Sequence, residues 1–238
     1  MNTDNCSLGG LTIDYGPCAF MDVFSADKVF SSIDHGARYA YQNQPGIAQW
    51  NLANLAQCLL SFIDEDEKRS VEIAQEAINQ FNEIFITHFA ERMRAKLGLD
   101  DAQDDDLELI STLLDKMQTL KLDFTQTFTQ LTHPDPSTPF APGGGLHDWH
   151  LRWQQRLGED TDRIQSARER MKSVNPAVIP RNHLVEEFID LAVAESDFSA
   201  FNEMLEAVTE PFNPAHRDGE YAQAPQEGEE VTATFCGT

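Results

Sequence analysis

Apolar residues recur along most of this chain at three- and four-residue steps, the period of a helix with one buried face. Ile47, Trp50, Leu52, Leu55, Leu59 and Phe62 set the first run, with Pro45 just ahead of it and Trp50 expected in the core. Val71, Ala74, Ile78, Phe81, Phe85, Phe89 and Met93 predict a second, long helix ending at Leu97-Gly98, glycine taking the first position past the helix. Acids at 64–67 suit its start, and Arg92, Arg94 and Lys96 suit its end, because each offsets the helix dipole. Further helices are predicted over residues 107–120, around Phe124, Phe128 and Leu131, and over 146–157, 161–172, 181–194 and 198–208, the last ending before Pro211. The start of the chain departs from this period. Leu11-Thr12-Ile13 and Cys18-Ala19-Phe20-Met21 read as two short strands across a turn at Tyr15-Gly16-Pro17. The pattern therefore predicts a mainly α chain with one small β-hairpin.

Between the helices, residues 25–45 have loop composition, and residues 100–106 read as a solvated acidic linker with Asp104-Asp105-Asp106 at a helix start. A calcium loop there is rejected, because the spacing lacks the central glycine and the closing glutamate. Thr132-His133-Pro134 through Gly143-Gly144-Gly145 is the clearest break. The expected organisation is one portion over 1–132, a Pro/Gly linker over 133–145, a helical region over 146–212 and a flexible Pro-, Gly- and Glu-rich tail over 213–238. His147 and His150 have the spacing of a metal pair but no third ligand nearby, so histidines beside core Trp149 and Trp153 are the expectation.

Candidate chemistry sits in the first sixteen residues. Asp4 is followed at once by Asn5, and Asp14 ends the first apolar run before Tyr15-Gly16. Mg²⁺ prefers carboxylate and amide oxygens, and a neighbouring carboxylate can take the proton of an attacking hydroxyl. A base, an amide ligand and then an Asp-aromatic-Gly turn is the order of parts in a protein kinase. Taken alone, both pieces also fit ordinary turn chemistry.

The residues around them widen the match. Asn2-Thr3-Asp4-Asn5, Leu11 through Pro17, Arg38-Tyr39-Ala40-Tyr41, Gln44-Pro45, Ile47 through Leu52, Ser173 through Ala177, Arg181-Asn182 and Thr234 through Thr238 together resemble the selenoprotein O (YdiU) family. That resemblance implies a protein-kinase-like C-lobe with a C-terminal helical extension and no N-lobe. It also implies transfer of AMP from ATP to Ser, Thr or Tyr hydroxyls of proteins, with UMP transfer using manganese attributed to bacterial members. By position it implies Asp4 as proton acceptor, Asn5 as a metal ligand and Asp14 as a ligand of both metal and nucleotide, the metal being Mg²⁺ or Mn²⁺.

The family's phosphate-binding segment, which precedes this motif, has no counterpart here: Met1 resembles an internal Met, and Gly143-Gly144-Gly145 has no Lys-Ser/Thr after it. The expectation is a chain that binds nucleotide weakly and transfers little alone. A non-catalytic helical fragment and a kinase-like phosphotransferase or uridylyltransferase remain open. The family often carries selenocysteine or cysteine at its end, and one bacterial member ties its terminal cysteine to the activation segment. Cys236 with Cys18 is the nearest such pair, although Ser31 or Ser32 stands where that member has its partner.

Charge narrows the partners. With 17 basic and 40 acidic residues the formal net charge is −23, which repels nucleic acid and anionic membranes and otherwise serves solubility. No apolar run approaches the roughly 20 residues of a membrane span. No signal-peptide pattern opens the chain, and its four cysteines lack CxxC spacing, so a reducing cytoplasm is expected.

Overall fold

The computed structural model describes residues 2–4, 6–10, 19–133 and 139–234. It is mainly helical, with α1 Gln44–Ile63, α2 Glu67–Asn79, α3 Phe81–Lys96, α4 Asp106–Leu120, α5 Phe124–Leu131, α6 His147–Leu157, α7 Thr161–Val174, α8 Asn182–Glu195 and α9 Ser199–Thr209. Each falls on a predicted apolar run, α2 and α3 together on one. The chain divides into two compact units, one built on Ala26–Phe89 with the described residues that open the chain, the other on Cys18–Ser25 with Ala90–Thr234.

In the first unit, α1 carries Pro45 in its first turn, where the missing N–H is no loss. Packing against α2 is fixed by polar contacts as much as apolar ones. Gln49 donates to the Ile78 carbonyl at 3.2 Å, and the buried Ser70 hydroxyl donates to the Leu60 carbonyl. Asp66 caps α2 by accepting the Arg69 N–H at 2.9 Å. The predicted single helix from 67 to 97 is two helices in the structure. Gln80 keeps helical dihedrals (φ −74°, ψ −16°), but its N–H turns to the Ala77 and Ile78 carbonyls, interrupting the ladder at one residue.

The second unit is organised around Trp149 and Trp153 of α6, four residues apart and both buried, with rings 6.5 Å apart. Each indole N–H is satisfied: Trp149 donates to the Leu109 carbonyl at 2.8 Å and Trp153 to the Leu97 carbonyl at 2.9 Å. Leu97, Ile110, Leu113 and Met117 of the same unit are fully buried, each side chain contributing about 1.5–3 kcal/mol. Gly98, at φ +73°, ends α3 as predicted. Gly98 N–H donates to the Ala95 carbonyl and Leu99 N–H to the Arg94 carbonyl, and a Cβ on Gly98 would come within 3.0 Å of Ala167. Leu184, Phe188 and Met204 make a smaller core between α8 and α9.

The linker predicted to be solvated is exposed over residues 100–105, and arginines bridge to its acids. Asp106 is buried and takes Arg156 Nε at 2.7 Å, while Arg156 and Arg163 both reach Asp101. The Gln103 side-chain hydrogen bond first, then Arg156 and Arg163, pull the Asp101 carboxyl down to about 2. Lys96, expected at the dipole, has its amine 4.6 Å from the centre of the Phe128 ring and 5.5 Å from that of Phe124, and burial lowers it to about 8. From Asn213 onward, two 3₁₀ turns, Pro214–His216 and Glu220–Ala222, lie along the unit. Ala222 is buried and its carbonyl accepts from Arg181 and Gln126.

Candidate active site

Of the three residues singled out in the sequence, Asp4 is described: it is exposed, in a turn. Asn5 and Asp14 lie outside the described residues, as do Cys18 and Cys236. Among the described residues, no group of three His, Cys, Asp or Glu side chains could hold a metal ion. An amide oxygen and a carboxylate, as Asn5 and Asp14 would supply, are donors that suit Mg²⁺ or Mn²⁺.

The second strand of the expected hairpin is corrected where it is described. Residues 19–21 are not a strand, and among the described residues the one β contact is an isolated antiparallel bridge, Val23 with Asp123. Residues 11–18, the remainder of the hairpin, lie outside the described residues. The physical reason is that other partners take the backbone. Asn182 accepts the Phe20 N–H at 3.0 Å and donates to the Phe20 carbonyl at 2.7 Å. Phe24 N–H donates to the Leu122 carbonyl at 2.9 Å and Phe124 N–H to the Asp22 carbonyl at 2.7 Å. Arg181, 1% exposed, donates through Nη1 to Asp22 and Asp123, both at 2.7 Å. The stretch that follows Asp14 in sequence is thus gripped by the start of α8 and the cap of α5. In the sequence Arg181 was a helix start and, with Asn182, part of the family resemblance; neither signal named Asp22 or Asp123 as its partners.

The segment leading into α1 is also built rather than loose. Asp34 accepts the Arg38 N–H at 2.9 Å on one oxygen and the Tyr39 N–H at 2.8 Å on the other. Ala37 between them adopts φ +51°, and its carbonyl accepts from the Asn43 side chain at 2.9 Å. Trp50, expected in the core, is 43% exposed, with the Arg38 guanidinium 4.7 Å from its ring centre. Its neighbours on either side differ: Gln49 reaches the Ile78 carbonyl of α2 and Asn51 is buried. Among the described residues the Asn51 amide has no hydrogen-bond partner.

In the second unit a cavity of 570 Å³ is lined by His133, His150, Trp153, Arg168 and Met171 among others. His150 is buried between the Phe140 and Trp153 rings, 5.4 Å from each, and His147 contacts the Phe140 carbonyl through Nδ1 at 3.2 Å. These are histidines placed by aromatic packing. Burial lowers the pKa of His150, and that of His133 is lowered by burial and then by Arg217.

A family model described as protein adenylyltransferase SelO matches residues 1–209. The chain belongs to the SelO family. SelO relatives named protein nucleotidyltransferase YdiU align with all of it. The protein of Rhizobium etli (strain ATCC 51251 / DSM 11541 / JCM 21823 / NBRC 15573 / CFN 42) is 44% identical over 246 residues, covering 100% of this chain and 49% of its own. That of Rhodopseudomonas palustris (strain BisB18) is 46% identical over 245 residues, with 100% and 50% covered. That of Geobacillus kaustophilus (strain HTA426) is 44% identical over 239 residues, with 100% and 49% covered. The chain spans about half the length of the curated relatives it matches. Asp4, Asn5 and Asp14 all fall inside the SelO match. No helix among the described residues is long and apolar enough to cross a membrane.

Proposed function

We propose that this SelO protein transfers AMP from ATP to Ser, Thr or Tyr hydroxyls of other proteins, through a kinase-like C-lobe. The observation that carries the reading is the family match over residues 1–209, which takes in Asp4-Asn5 and Asp14 together. Asn5 and Asp14 would hold Mg²⁺ or Mn²⁺, with Asp14 also facing the nucleotide. A divalent ion bound there would draw charge off the phosphate oxygens. Asp4 is exposed, so a hydroxyl can reach its carboxylate. Asp4 takes the hydroxyl proton, the freed oxygen bonds to the α-phosphorus, and the bond from that phosphorus to pyrophosphate breaks. The family description specifies adenylyl transfer and the relatives' names nucleotidyl transfer, so the nucleotide itself needs a test.

That test uses ATP labelled at the α- or the γ-phosphate, with Mg²⁺ or Mn²⁺ and a protein acceptor. Label retained from the α position and lost from the γ position is expected, with UTP a poorer donor. In a version extended to the full length of its relatives, Asp4→Ala should abolish labelling and leave the helical circular dichroism unchanged. Label arriving from the γ position would make the protein a kinase, and full labelling by Asp4→Ala would remove the assigned proton acceptor.

A further inference from the structure

Most arginines among the described residues meet a carboxylate, whereas Arg38 meets aromatic rings. Seven others, Arg156 and Arg181 among them, lie within 4.0 Å of a carboxylate. Arg38 is exposed, in a chain with 40 acidic residues, and no acid among the described residues pairs with its guanidinium. The nearest candidate in sequence, Asp34, is already engaged: its two oxygens accept the backbone N–H groups of Arg38 and Tyr39. The guanidinium instead lies 4.7 Å from the Trp50 ring centre and 5.7 Å from that of Tyr39. Stacking holds a guanidinium by its face and leaves the N–H edges for an oxyanion.

The backbone that presents Arg38 is held at some expense. Ala37 sits at φ +51°, where a non-glycine residue is strained by about 1 kcal/mol or more. The turn is closed by the Asp34 clamp, by Asn43 on the Ala37 carbonyl and by Gln44 on the Tyr39 carbonyl at 3.5 Å. Trp50 keeps 43% of its surface exposed to support the stack. A cation so fixed has less rotamer freedom to lose when it meets an acid.

We infer that the Arg38–Trp50 stack is a docking point for an acidic side chain on the protein that receives the nucleotide. The inference rests on the transfer reading above for the identity of that partner. The net charge of −23 does not cancel it, because at about 0.15 M salt charges more than about 8 Å away are screened and the local pair decides.

The test uses the 238-residue chain and a fluorescein-labelled peptide with glutamates on both sides of a tyrosine. A second peptide has glutamine at each of those glutamates. Fluorescence polarisation at physiological salt should show the acidic peptide binding roughly two- to five-fold tighter. Arg38→Ala and Arg38→Gln should erase the preference, and Trp50→Leu should reduce it. Equal binding of the two peptides, no binding of either, or a preference that survives Arg38→Ala overturns the inference. So does an Arg38→Ala chain that loses ATP–Mn²⁺ affinity instead, since the anion would then be the nucleotide's phosphate. Asp14→Asn tests the other reading separately. If ATP–Mn²⁺ binding is indifferent to Asp14 while the acidic preference holds, the transfer reading fails and the docking point stands.

Discussion

Asn182 holds Phe20 by both sides of its peptide backbone, accepting its N–H at 3.0 Å and donating to its carbonyl at 2.7 Å. A side-chain amide here does what a neighbouring strand does in a sheet. Asn182→Ala removes both bonds and should destabilise the fold by about 1–3 kcal/mol. Asn182→Asp keeps the acceptor but brings a carboxylate to the Phe20 carbonyl and to Asp22, which the Asn182 amide approaches at 3.5 Å. It should be at least as damaging as alanine. Urea midpoints and hydrogen exchange of the Phe20 amide measure both; an Asp variant as stable as wild type would contradict the assigned geometry.

Arg181 sets a larger expectation. It is 1% exposed and neutralises Asp22 and Asp123 at 2.7 Å each. Removing one partner of a buried ion cluster leaves uncompensated charge, so Arg181→Met should cost about 3–5 kcal/mol. Adding Asp22→Asn and Asp123→Asn to Arg181→Met should recover part of that loss, because the three groups share one network. A triple variant no more stable than Arg181→Met would mean that the guanidinium acts through packing alone.

These contacts mark the boundary of what the sequence made legible. The helices were readable because a 3.6-residue period is local: α4 begins at Asp106 against an expected 107, and α8 at Asn182 against 181. Gly98 was readable for the same reason, since a helix end is decided within a few residues. Polar partners across the fold were not. Arg156 and Asp106 are fifty positions apart, and Arg181 and Asp22 more than a hundred and fifty, so the one buried acid of an otherwise exposed run, Asp106, could not be told from its neighbours. Trp50 misled because helical spacing cannot show that a ring, here 43% exposed, meets a guanidinium instead of the core; Leu59 and Phe62 of the same run are exposed too. Cys18-Ala19-Phe20-Met21 has strand composition, but composition cannot show that Asn182 takes the place of a strand. Asp4, Asn5 and Asp14 were singled out by a kinase-like order of parts, but such short stretches fit ordinary turns as well, and it was the family resemblance that implied their roles.

Lys96 predicts a gain. Its amine lies over the Phe124 and Phe128 rings, and burial lowers it to about 8 from 10.5. At neutral pH the folded protein therefore holds a partly desolvated ammonium, offset in part by the rings. Lys96→Met keeps the apolar stem and should stabilise by about 1–2 kcal/mol at pH 7. Between pH 8 and 10.5 the unfolded chain holds the proton and the native protein does not, so wild-type stability rises with pH there. The gap between variant and wild type should narrow across that window. Thermal unfolding at pH 7, 8, 9 and 10 follows it, and a constant gap would mean that the amine is solvated.

Acid should weaken the fold through two histidines. His133 and His150 both have pKa values lowered by burial from the ordinary 6.5, the first also by Arg217, whose Nη1 stands 3.0 Å from His133 Nε2. That nitrogen is the acceptor, so the native ring is neutral. Below pH 6.5 the unfolded chain takes up protons that the folded imidazoles refuse, and stability falls as pH drops from 7 to 5. Asp101 does not blur this window: its carboxyl, at about 2 against an ordinary 3.8, contributes fully above 3.8 and loses its effect only as pH falls through about 2. Urea titrations at pH 7, 6 and 5 should show a falling midpoint in wild type, a shallower fall in His133→Gln and in His150→Gln, and the shallowest in the double variant. Parallel curves for all four proteins would place the acid sensitivity elsewhere, because a group that titrates alike in both states cannot tilt the balance between them.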